Sequence, residues 1–216
     1  MLGLTSFQKS GNIEYMIIGI IKNILEKIDR ARDILLFPFI KKFWPRKITP
    51  NHLSILKIFV GVALGVLLFS GVKNKFWILG MFCFGLFLDL FDGSVARALD
   101  KKTKLGALLD PIGDKILIIP VAIYGLVRYY FGILFFILIP EAISAFDSIY
   151  YKKKNQNEME ANIFGKTKMV LHSVAFGVIL LKWPAFPSQF TVTLLLFSVA
   201  CAFLSIFVQW MDFLKK

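Results

Sequence analysis

Two neighbouring stretches carry the residues that could do chemistry. The first reads Leu88-Asp89-Leu90-Phe91-Asp92-Gly93-Ser94-Val95-Ala96-Arg97, and the second, after a short link, Leu105-Gly106-Ala107-Leu108-Leu109-Asp110-Pro111-Ile112-Gly113-Asp114-Lys115. Four carboxylates and an arginine stand in runs otherwise made for lipid. A charge at the centre of a membrane helix costs about 2.5–3.5 kcal/mol even on the insertion scale, so four together call for a function. At about 100° per residue, Asp92 lies roughly 60° to one side of Asp89 and Gly93 roughly 40° to the other, with Ala96 almost above Asp89 and Arg97 bordering the stripe. On the second stretch Asp114 is one turn beyond Asp110, and Gly106 is one turn before it. As antiparallel neighbours the two helices would bring their acidic faces together at one depth, within about 10–15 Å of one membrane surface at about 1.5 Å per residue.

Carboxylates that converge in a poor dielectric stay ionised only if cations neutralise them. No His or Cys lies near them, so the donor set is all oxygen, which favours Mg²⁺ or Mn²⁺ over zinc or copper. Two such ions bridged by shared carboxylates would suit phosphoryl transfer, stabilising both the attacking and the leaving oxygen. Gly93, Ala96 and Gly106 leave space beside them for a planar or phosphorylated group to approach the backbone.

The elements that must position these residues follow from composition. The chain has 216 residues, of which 57% are hydrophobic and 19% charged, and its mean hydropathy is +0.69. A soluble domain carries fewer apolar residues and more charge. The expected fold is therefore an all-α membrane protein, one bundle without room for a second catalytic domain. Six runs are long enough to span, roughly His52–Gly71, Phe76–Leu99, Leu105–Val127, Phe131–Tyr151, Lys168–Leu181 with flanks, and Phe190–Trp210; the fifth is the shortest. The longest link, Lys152 to Glu160, is polar enough to lie in water. Residues 1–12 lack the features of a signal peptide, and Ile13–Ile21 is too short to span, so insertion is expected to rely on the first long run.

Residues 1–51 read as an N-terminal interfacial segment and 52–216 as the six-span catalytic domain. Between Ile13 and Trp44, apolar Ile24, Leu25, Ile28, Ile34, Leu35 and Leu36 alternate with charged residues, the pattern of an amphipathic helix in the membrane interface or packed on the bundle's end. With the N-terminus inside, twenty Lys and Arg fall on the cytoplasmic side and four on the other, which sets the orientation and the cytoplasmic membrane as the location. Trp44 and Trp210 then mark the inner interface, Trp77 and Trp183 the outer one. The net charge of +12 points to anionic headgroups and phosphorylated substrates rather than nucleic acid. Cys83 and Cys201 form neither a CxxC pair nor a ligand cluster, which gives disulfide and zinc readings little support.

The arrangement Asp-x2-Asp-Gly-x2-Ala-Arg-x8-Gly-x3-Asp-x3-Asp, from Asp89 to Asp114, resembles the motif of the CDP-alcohol phosphotransferase family at every position. Thr49-Pro50-Asn51-His52-Leu53-Ser54 is similar to the family's segment before the first span. The resemblance implies that Asp89 and Asp110 bridge two Mg²⁺ ions, that Asp92 completes the first site, and that Asp114 binds the second ion and acts as general base. It implies donor contacts, to the CDP part of CDP-diacylglycerol, from Asn51, Ser54, Gly93, Ala96, Arg97, Thr103 and Gly106. It also implies a homodimer.

The acceptor is read from Ala161-Asn162-Ile163-Phe164-Gly165-Lys166-Thr167-Lys168, similar to the Gly-Lys-x-Lys segment of phosphatidylglycerophosphate synthases, whose acceptor is glycerol 3-phosphate. Lys166 and Lys168 would bind the acceptor phosphate; read plainly, they are an ordinary positive-inside pair. The long N-terminal arm looks more like that of phosphatidylinositol-phosphate synthases, which keeps inositol phosphate open, and a serine acceptor is a further alternative. Glu141 and Asp147 in the fourth span either shape the acceptor pocket or bond helix to helix. His52 and His172 read as structural, and Pro111, Pro120 and Pro140 as helix kinks. A small ion- or proton-coupled transporter would also place acids in the membrane, but along its depth and often with inverted repeats. A silent scaffold would readily lose one of four costly charges.

Overall fold

A computed structural model describes residues 30–45, 48–72, 74–101, 103–154, 163–183 and 187–214, with 23, 27 and 185 beside them. Every regular element among these residues is helical. Helix α1 covers residues 30–43, followed by α2 (Pro50–Phe69), α3 (Lys75–Ala98), α4 (Lys104–Leu126), α5 (Phe131–Lys154), α6 (Ile163–Lys182) and α7 (Gln189–Leu214). The expected apolar stretch Ile13–Ile21, most of the polar link from Lys152 to Glu160, and Ala161 and Asn162 lie outside the described residues.

Local chemistry sets the helix starts. Pro50 opens α2, where its missing N–H leaves no donor unsatisfied. The Thr49 N–H donates to His52 Nδ1 at 3.2 Å, and Thr49 Oγ1 lies 2.7 Å from the same nitrogen, so His52 has the structural role expected of it. Asn74 caps α3 by accepting from the Phe76 N–H, and Thr103 caps α4 by accepting from the Gly106 N–H.

Helices α2, α3, α6 and α7 are long and apolar enough to cross a membrane. Together with large exposed side chains such as Phe59, Phe76, Phe136, Phe197 and Phe207, they make this a multi-pass membrane protein. The fifth expected run is long enough to cross: α6 runs for 20 residues because it begins at Ile163 rather than Lys168. Helices α4 and α5 are as long; Asp110, Asp114 and Lys115 interrupt the apolar run of α4, and Glu141 and Asp147 stand within that of α5.

Helix α2 sits at the centre of the half that holds the acids. It packs along both α3 and α4, whereas α3 and α4 touch each other over only a few residues. The two acidic helices thus touch less than neighbours would, yet their acids meet at one depth as expected, beside α2. Gly61 makes the close approach possible, because a Cβ there would lie 3.0 Å from the Ile116 backbone. The other half pairs α6 with α7, with α5 against α4 and α7. Leu64, Leu68, Phe82, Leu117, Val121, Leu126, Phe176 and Leu195 form the shared core.

Helix α1 packs on the bundle's end, one of the two readings of the N-terminal arm; Ile24, Leu25 and Ile28 of the expected pattern lie outside the described residues. Fully buried Ile40, with Leu36 and Trp44, packs on Leu53 and Val60 of α2 and Leu88 and Val95 of α3. Ile34, Leu35, Phe39 and Phe43 remain exposed, an apolar face suited to lipid at the bundle's end.

Candidate functional site

The four aspartates converge, and a lysine stands among them. Lys57 of α2 is fully buried, and its ammonium lies 2.7 Å from Asp89 Oδ1, 2.8 Å from Asp110 Oδ1, 2.8 Å from Asp114 Oδ1 and 3.4 Å from Asp92 Oδ2. Its stem passes over Gly113, where a Cβ would come within 2.5 Å of Lys57 Cε. A side chain larger than hydrogen at position 113 would therefore push the ammonium out of place. All five charged residues lie toward the same end of the bundle, early in α2 and α4 and late in α3.

Lys57 is the member of this cluster that the sequence does not single out. Its signal is a lysine inside an otherwise apolar run, whose charge has to be met by something within the protein. Here it is met four times over. One ammonium shared by four carboxylates leaves the acids in excess, so the cluster remains attractive to further cations. Asp89, Asp92 and Asp110 each offer an oxygen, and these lie within 4.8 Å of one another. The Asp110 side chain is half exposed, whereas Asp92 is buried, so the cluster opens on the Asp110 side. An anionic, all-oxygen donor set of this size fits a hard divalent cation.

The residues expected to hold the donor gather around this cluster. Ser54 Oγ donates to Asp92 Oδ2 at 3.3 Å, Thr103 Oγ1 donates to Asn51 Oδ1 at 2.6 Å, and the Gly106 N–H donates to Thr103 Oγ1 at 2.9 Å. A Cβ on Gly106 would strike Asn51 Oδ1 at 2.7 Å. Gly93 lies under the Arg97 guanidinium, and the carbonyl of Ala96 accepts the Lys101 N–H at the helix end. Arg97 is paired with Asp33 of α1, an acid that the sequence does not single out. Burial alone would raise the Asp33 carboxyl, but the hydrogen bond and charge of Arg97, with those of Arg32, hold it below the usual carboxylate value. Asp33 is therefore charged at neutral pH.

The residues expected to hold the acceptor are arranged differently. Lys168 is buried, and its ammonium lies 2.7 Å from Glu141 Oε1; Lys115 approaches Glu141 Oε2 at 3.4 Å. His172, buried beside them with Nδ1 3.6 Å from Glu141, makes no hydrogen bond from either ring nitrogen among the described residues. Glu141 thus gathers cations from α4 and α6 onto α5. Asp147 accepts from Trp210 Nε1 at 3.2 Å and so ties α5 to α7. Lys166, two residues before Lys168, is half-buried.

Comparison with known proteins agrees with this arrangement. Residues 47–206 match the family model described as CDP-alcohol phosphatidyltransferase, and the chain belongs to that family. Enzymes of this family generally depend on a divalent metal, and the chain is a CDP-alcohol phosphatidyltransferase. It is 31% identical to a CDP-diacylglycerol–glycerol-3-phosphate 3-phosphatidyltransferase of Mycoplasma pneumoniae over 64% of this chain and 69% of the relative. It is 24% identical to the protein of that name from Wigglesworthia glossinidia brevipalpis, over 77% of this chain and 97% of the relative. The match to the Cereibacter sphaeroides protein of the same name, 29% identical, covers about half of either chain, 47% and 46%. No solved structure matches.

Proposed function

We propose that the chain transfers a phosphatidyl group from CDP-diacylglycerol to glycerol 3-phosphate, releasing CMP. The observation that carries this reading is the convergence of Asp89, Asp92, Asp110 and Asp114, in a chain whose long matches are to proteins named for that acceptor. Asp89, Asp92, Asp110 and Asp114 would hold two Mg²⁺ ions, with Mn²⁺ as a substitute. When bound, these would neutralise charge on the oxygens of the phosphoryl group being transferred.

The remaining work belongs to the side chains. Asn51, Ser54, Gly93, Ala96, Arg97, Thr103 and Gly106 bind and orient the CDP part of the donor. Asp114 takes the proton from the acceptor hydroxyl. That oxygen bonds to the phosphorus carrying the diacylglycerol, the bond from this phosphorus to CMP breaks, and CMP leaves with its electron pair. Lys166 and Lys168 meet the acceptor phosphate as charged donors, with Glu141 holding Lys168 and Lys115 in place. The reading includes six spans, with α4 and α5 completing the set, a site facing the cytoplasm, residues 1–51 as an interfacial arm, and a homodimer.

Relatives named as cardiolipin synthases, among them a CMP-forming one of Rattus norvegicus that is 40% identical over 32% of this chain and 22% of its own, support a second reading in which the acceptor is itself a lipid. Purified protein with CDP-diacylglycerol and Mg²⁺, offered glycerol 3-phosphate, phosphatidylglycerol, inositol phosphate, inositol or serine in turn, separates the two. Fastest CMP release with glycerol 3-phosphate is expected. Release with serine or inositol alone would sink this choice of acceptor and leave the family standing.

A further inference from the structure

Arg97 is gripped along one edge. Asp33 accepts its Nε–H through Oδ2 and its Nη2–H through Oδ1, each at 3.0 Å, the two-point geometry that fixes a guanidinium in plane as well as in place. Ser94 Oγ donates to Asp33 Oδ1 at 3.4 Å, and Nη2 of Arg97 lies 3.4 Å from the same hydroxyl. The opposite edge is turned elsewhere: Nη1 overlies Gly93, 3.4 Å from where a Cβ would stand, one residue from Asp92. Asp33 can hold this position because α1 is docked, with Ile40 buried two turns further on against α2 and α3.

We propose that Asp33 is a positioning residue for the donor: by fixing Nε and Nη2 of Arg97, it aims Nη1 at the diphosphate of a CDP-lipid lying over Gly93. The inference rests on the donor-binding reading of Arg97. An arginine at a helix end loses rotamer freedom when it meets a ligand, and a partner that has already ordered it removes that cost. The N-terminal arm is thereby part of the donor site as well as an interfacial anchor.

The test uses the full-length protein in detergent with Mg²⁺. Binding of water-soluble CDP is measured by calorimetry, and kcat and KM are measured for CDP-diacylglycerol and for glycerol 3-phosphate. Asp33→Asn, nearly isosteric, should weaken CDP binding and raise the donor KM about three- to tenfold, with kcat and acceptor KM within about twofold. Asp33→Glu should recover part of the loss, and Asp33→Asn should add nothing in an Arg97→Ala background. Unchanged or tighter CDP binding by Asp33→Asn would overturn the proposal, tighter binding meaning that Asp33 competes with the diphosphate. An equal loss with and without Arg97, or a fall in kcat without a change in donor KM, would overturn it too. If the wild type neither binds CDP nor releases CMP, the donor reading fails and the inference falls with it; if the wild type does both and Asp33→Asn is indifferent, only the inference falls.

Discussion

Lys57 Nζ lies 2.8 Å from Asp114 Oδ1, so the carboxylate proposed as general base is bound to an ammonium supplied by a different helix. The same nitrogen reaches the three other acids. Lys57 is thus a counter-cation shared by carboxylates from two helices. Removing one partner from a buried ionic set costs about 3–5 kcal/mol because the others are left uncompensated. Lys57→Met should lower the melting temperature in EDTA by roughly 6–20 °C, at about 2–4 °C per kcal/mol. Mg²⁺ should then raise the melting temperature of the variant more than that of the wild type, since ion and ammonium compete for the same oxygens. Equal melting temperatures in EDTA, with equal Mg²⁺ shifts, would contradict this role.

Gly113→Ala tests the same relationship from the other side. The added methyl stands where the Lys57 stem passes, so it should displace the ammonium and reproduce part of the Lys57→Met behaviour. Gly80→Ala, where no atom lies within 4 Å of the added carbon, is the control and should leave Mg²⁺-dependent melting unchanged.

The acids were legible because charge inside an apolar run has no bland explanation, and their spacing around a helix is simple arithmetic. Lys57 was harder, because a single lysine seven residues into a span reads like any interfacial cation until the fold places α2 between α3 and α4. Asp33 was harder still. It lies 64 positions from Arg97 in a segment full of charges of both signs, so nothing local marks it. The same holds for Lys168, which read as a phosphate ligand and is found against Glu141. Partners supplied by other helices are set by packing, and helical periodicity carries no record of them.

Asp114→Asn should lower kcat about a hundred- to ten-thousandfold while leaving CDP binding within a few fold, because a general base acts on the acceptor. Arg97→Ala should do the reverse, weakening CDP binding with the smaller effect on kcat. Near-normal turnover by Asp114→Asn would assign the proton to another group.

Lys166→Ala should raise the KM for glycerol 3-phosphate while leaving the melting temperature and donor KM near the wild-type values. Lys168→Ala should also lower the melting temperature, since it strips Glu141 of its nearest cation in a buried setting. If neither lysine affects the acceptor KM, the acceptor phosphate is bound elsewhere.

The most direct test is CMP release from CDP-diacylglycerol and glycerol 3-phosphate by the purified protein, with Mg²⁺ and with EDTA, alongside Asp89→Asn and Asp110→Asn. The predicted result is CMP and phosphatidylglycerophosphate in equal amounts with Mg²⁺ and neither in EDTA. Either substitution should slow release about a thousandfold, as expected when several kcal/mol of charge stabilisation is lost. Undiminished CMP release in EDTA, or by either variant, would contradict it.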